Sequence, residues 1–138
     1  MSALPDQLRS LRIIYAIMFA MLPVYACLGE FLGSKGPGVD ATLEIGCAVC
    51  GMVIAAVAIF FRRKTSESAG QVLRSDPENQ QALTRWRSGQ IVSFVLAESI
   101  VLLGFAQRFL GGPVKVAILY YFVAGVLFLL FRPSEPVV

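Results

Sequence analysis

Glu98 is the residue in this sequence whose position most needs a chemical reason. It is the single acid in the run SGQIVSFVLAESIVLLGFAQ, residues 88–107. On a helix, Phe94, Val95, Val101, Leu102 and Phe105 share its face. A charged carboxylate at the centre of a hydrocarbon span costs at least ~2.5–3.5 kcal/mol. The group must therefore be protonated, paired, or turned toward a polar interior. Two roles meet that requirement. One is an ion- or proton-binding carboxylate. The other is a neutral acid that bonds a neighbouring helix and holds it. No lysine or arginine stands at the same depth of the run to neutralise it.

Cys47-Ala48-Val49-Cys50 is the second candidate. A C-x-x-C pair suits thiol–disulfide exchange when one thiolate is accessible and readily formed. The same residues also serve packing. With Gly46 and Gly51 they make small-residue pairs four apart, which let helices approach closely. A third group lies at the ends of the apolar runs, where Glu30, Asp40 and Glu44 fall near Lys35, Arg108 and Lys115. These read as a rim of solvated ion pairs. The chain has no histidine, so the usual general base and metal ligand is missing. No metal site and no cofactor are expected. Three cysteines are too few for a disulfide framework. No phosphate-binding glycine loop, dinucleotide fingerprint or nucleophilic serine elbow occurs.

The elements that must hold these residues follow from composition. Of 138 residues, 57% are hydrophobic and 15% charged, with a mean hydropathy of +0.71. A soluble domain is nearer half apolar and a quarter charged. Four apolar runs account for the excess: Ile13 to Gly29, Ile45 to Phe61, Ser88 to Gln107 and Val116 to Phe131. Each is long enough, with its uncharged flanks, to approach the ~20 residues that cross a bilayer as a helix. The expected fold is a single all-α domain over residues 1–138 with four transmembrane helices, spanning about 11–32, 42–61, 88–109 and 114–131. Pro23 predicts a kink in the first helix without breaking it. That run lacks the small-residue cleavage site of a secretory signal, so it is expected to stay as a span.

Charge sets the orientation. Arg9 and Arg12 precede the first run, Arg132 follows the last, and Arg62, Arg63, Lys64, Arg74, Arg85 and Arg87 lie between the second and third. The other side carries Lys35, Arg108 and Lys115. The positive-inside rule then puts both termini and a basic central loop, residues 62–87, in the cytoplasm of a bacterial-type inner membrane. A pI near 9.0 is explained by the membrane surface, with no nucleic-acid partner. In the loop, Ser75-Asp76-Pro77 predicts a helix start with Pro77 in its first position. Trp86 is expected at the membrane boundary. Arg74, Pro77, Arg85, Trp86 and Arg87 are the candidates for docking a cytoplasmic partner.

Residues 45–107 resemble the hairpin of the rotor-ring c subunits of rotary ATP synthases. The resemblance lies in GCAVCGMVIAAVAIF, then Arg74-Ser75-Asp76-Pro77, then VLAESIVLLGF. In that family a small-residue helix, a polar loop and a returning helix present a mid-membrane carboxylate that binds the translocated ion. The resemblance implies that Glu98 is that carboxylate and that Arg74 and Pro77 belong to the loop signature. This chain departs from the family in four ways. Its second run lacks the glycine ladder, an extra residue separates Arg74 from Pro77, the loop is longer before the carboxylate, and two further runs flank the hairpin. The Cys47/Cys50 pair is similar to that of the disulfide-generating quinone reductases, which would imply a thiol–quinone couple. The second cysteine pair of that family is absent from residues 110–113.

The sequence is thus read as a small multi-pass membrane protein, a non-enzymatic subunit of an oligomeric or larger complex. Its expected partners are the lipid bilayer and other membrane-protein chains. Ion-linked translocation through Glu98 and thiol–quinone exchange through Cys47 and Cys50 are the alternatives.

Overall fold

Four helices in up-and-down order make up a computed structural model that describes residues 4–33 and 37–134. They are α1, Leu4–Leu32; α2, Ala41–Ser75; α3, Gln80–Phe109; and α4, Val114–Leu130. Local chemistry marks their ends. Asp6 lies in the first turn of α1, where a negative charge suits the helix dipole. The Asp40 carboxylate accepts from the Thr42 N–H at 3.1 Å and caps α2. Asn79 accepts from the Ala82 N–H at 3.0 Å and caps α3. Pro113 precedes α4 with a backbone in the extended region. The first helix runs without a break through Pro23.

The expected central loop is not a loop. Residues 62–75 continue α2, residues 80–87 begin α3, and four residues, 76–79, make the turn. Period explains the difference. Ala58, Thr65, Ala69 and Leu73 recur at helical spacing, and Ala58, Ala69 and Leu73 are buried. Polar residues between them masked this stripe. Pro77 does not start the next helix. It ends the previous one, because the residue before a proline is pushed out of helical geometry. Asp76 accordingly has φ −141° and ψ 88°, and its N–H donates to the Val72 carbonyl.

The third helix is the hub. It packs against α1, α2 and α4, whereas α2 packs chiefly on α3. Its buried side chains run along nearly the whole helix, from Ala82 to Gln107. Around Phe94 an aromatic group closes the centre: Tyr15 and Phe128 meet it and each other, and Phe19 meets Tyr15 and Phe128, with ring centroids 5.5–6.4 Å apart. Glycines set the closest approaches. A Cβ on Gly89 would strike Thr65, and one on Gly51 would stand 3.0 Å from the Tyr120 ring.

The outer faces stay apolar. Ile13 and Ile17 on α1, Met52 and Phe60 on α2, and Ile118 and Phe122 on α4 are all exposed. By length and composition α1, α2 and α3 are able to cross a membrane. The fourth helix is a 17-residue apolar helix, about 25 Å long at the rise of an α-helix. Three helices therefore meet the requirement outright, where the sequence led us to expect four.

Candidate functional site

Glu98 sits on α3 at a margin. On the face expected to surround it, Phe94 and Val101 are fully buried, while Val95 and Leu102 are exposed. The carboxyl thus lies where the core of the bundle gives way to its outer surface. Its Oε2 is buried and has no hydrogen-bond partner among the described residues. Nor does a cation reach it: among those residues the one ion pair lies elsewhere. An unsatisfied buried polar atom of this kind costs about 1–3 kcal/mol, so it calls for a partner.

That ion pair belongs to the opposite rim. Arg108 grips Glu30 in two-pronged fashion, Nε to Oε1 at 2.9 Å and Nη2 to Oε2 at 3.2 Å. A third donor, Nη1, reaches the Gly112 carbonyl at 3.1 Å. The pair therefore ties α1 to α3 and also fixes the turn into α4. Of the remaining rim residues, Asp40 caps α2, and Lys115 is exposed. Lys35 lies outside the described residues.

The thiols separate by exposure. Cys47 is half-buried against the core, whereas Cys27 and Cys50 are exposed, and all three are free. Gly51 beside them is buried against Tyr120, and Gly46 meets nothing within 4 Å. One half of the expected small-residue contact is therefore realised. Between α2 and α4, with Ile100 of α3 as a floor, runs an apolar groove of about 310 Å³, lined by Ala48, Gly51, Met52, Ala55 and Val123. Among the described residues no cluster of three or more acid, cysteine or histidine side chains is positioned to hold a metal ion.

The docking candidates divide. Arg74, Pro77 and Arg85 are exposed, and Arg87 is half-buried. Trp86 is 3% exposed and belongs to the core, so its ring is not on the exposed surface that a cytoplasmic partner would meet. It lies inside because the helical extension of α2 covers α3 at this level, a cover that a loop would not have supplied.

Sequence reasoning missed a polar corner where α2, α3 and the end of α4 meet at the basic end. Arg62 of α2 donates to the Gln90 side-chain oxygen of α3, and Gln90 in turn donates to Ser66 Oγ at 3.4 Å. The Arg62 Nη2 reaches the Arg132 carbonyl, just beyond α4, at 3.4 Å. Its guanidinium also lies 4.9 Å from the centroid of the Phe131 ring. The signal was present: Gln90 is a polar residue on the inward stripe of α3 and is 2% exposed.

No protein-family model, curated protein or solved structure matches the chain. Its class rests on the architecture: a small, all-helical, largely apolar bundle of the multi-span membrane type.

Proposed function

We propose that this chain is a multi-pass membrane protein acting as a non-enzymatic subunit of an oligomeric or larger membrane assembly. Both termini and the 76–79 turn face the cytoplasm of a bacterial-type inner membrane. The observation that carries the subunit reading is the position of Glu98. Its side chain is only half-buried beside the exposed Val95 and Leu102, so that although Oε2 is shut in, the outward part of the carboxyl can meet a helix of another chain. A hydrogen bond offered there satisfies the carboxyl and joins two chains at once. The exposed apolar faces of α1 and α2 support residence in lipid, since lipid tails or another apolar helix cover them equally well.

The test is purification in mild detergent at native abundance, with native mass spectrometry of whatever accompanies the chain. The reading expects a defined oligomer or a heteromeric complex that Glu98→Leu weakens. A monomer under those conditions overturns it.

A second reading has support from the same atom. An unpaired carboxyl at mid-span, together with the resemblance to rotor-ring hairpins, is what proton- or cation-linked translocation would require. That reading expects a carboxyl-reactive carbodiimide to label Glu98 and an added cation to protect it. Indifference of the labelling to every cation, with full function in Glu98→Gln, rules it out.

A further inference from the structure

Arg62 is a half-buried cation whose partners among the described residues are all neutral. The Gln90 amide oxygen, the Arg132 carbonyl and the face of Phe131 account for its contacts. A guanidinium has five N–H donors and stays charged at any physiological pH. Among the described residues its two hydrogen bonds use only part of that set. Arg62 takes no part in an ion pair with any described carboxylate, and neither does Arg132. The end of α4 therefore lies against the Arg62 guanidinium at one corner, and among the described residues no acid pairs with Arg62 or Arg132. A partly buried charge without a counter-ion is expensive. The negative end of the α4 dipole offsets only about half a charge.

Depth identifies the missing anion. Arg62 is the first residue after the apolar run 45–61, and Arg132 is the first after the run 116–131. Both therefore stand where hydrocarbon ends and lipid phosphates begin. Arginine is the side chain best shaped to hold a phosphate through two parallel N–H bonds. We propose that the Arg62–Arg132 corner binds the headgroup phosphate of an anionic membrane lipid. The lipid supplies a counter-ion and locks α2 to the end of α4. This proposal rests on the membrane reading above.

The experiment titrates the detergent-purified full chain with phosphatidylglycerol, phosphatidylcholine or inorganic phosphate, following thermal unfolding and lipid adducts by native mass spectrometry. Phosphatidylglycerol is expected to raise the unfolding midpoint saturably, while the other two leave it in place. Arg132→Gln, at an exposed side chain, is expected to weaken that binding by about tenfold, the effect of one lost charge-assisted contact. Arg62→Gln should do the same. Arg74→Gln, near the tip of the hairpin, should not. If Arg62→Gln fails to fold, Arg132→Gln decides alone. Equal binding by wild type and Arg132→Gln overturns the proposal, as does an equal response to phosphatidylcholine. A full response to inorganic phosphate would make the corner a free-anion site and equally overturns it. A chain that stays folded and dispersed without detergent instead overturns the membrane reading, before any lipid is added.

Discussion

Gly104 of α3 lies so close under Tyr120 of α4 that a Cβ added to it would stand 2.7 Å from the Tyr120 Cβ. The same added atom would sit 3.2 Å from the Tyr121 ring and 3.3 Å from the Ala117 carbonyl. Backbone and ring stem are the obstacles, and neither can swing aside. Gly104→Leu is therefore expected to force α3 and α4 apart and to cost about 1–3 kcal/mol. Gly46→Ala, where nothing lies within 4 Å, should be neutral or stabilising. Thermal unfolding in detergent measures both, and equal behaviour of the two variants would contradict this packing.

At Glu98 the two levels of organisation predict opposite signs. In an isolated protomer, Glu98→Leu removes a buried oxygen that has no partner among the described residues and fills its place with hydrocarbon. That should stabilise the protomer by about 1–3 kcal/mol. In the assembly the same change deletes the bond between chains and should shift the population toward single protomers. Unfolding of the dissociated chain and size distribution of the intact preparation report the two effects separately. Stabilisation without any loss of association would leave Glu98 no role in assembly.

Trp86, the only tryptophan, offers a direct view of the helical extension. At 3% exposure it should resist quenching by acrylamide in water and by brominated lipid in vesicles alike. A residue at the membrane boundary would be quenched strongly by the lipid. Trp86→Ala is expected to cost about 3–5 kcal/mol, and Leu73→Ala, at 4% exposure, about 2–5 kcal/mol. Losses well below these values would mean that α2 and α3 are not paired beyond the membrane.

The membrane-type bundle was legible because long apolar runs admit few alternatives: Val116 to Phe131 has no charge to place in water, and helix is the structure that satisfies its backbone. What escaped was the pairing of polar helices. Thr65, Ala69 and Leu73 form a stripe, but Arg63, Lys64, Glu67 and Ser68 dilute it below the level at which composition suggests a helix. The burial of Trp86 was not legible for the same reason. At the candidate site, Glu98 stood out because a charge among apolar residues is rare. That one of its oxygens lacks a partner depends on what three other helices bring near it, which linear spacing does not specify. The Arg62–Gln90 contact joins residues 28 apart through a helical turn that the sequence reading had treated as loop.

The orientation is open to a direct test because the helix ends separate the charges. Arg62 and Arg132 meet at one end of the bundle, and Glu30 and Arg108 at the other. With nine of the twelve basic residues at the first end, the positive-inside rule assigns that end to the cytoplasm. Glu78, exposed in the four-residue turn, is a suitable reporter. In a variant with the native cysteines replaced by alanine, Glu78→Cys should react with a membrane-impermeant maleimide only after the cells are opened. A cysteine at the exposed Lys115 should react in intact cells, provided the reagent passes the outer envelope. The reverse pattern would invert the bundle. It would also put the Arg62–Arg132 corner against the outer leaflet, where the same lipid phosphate would have to be supplied from the opposite side.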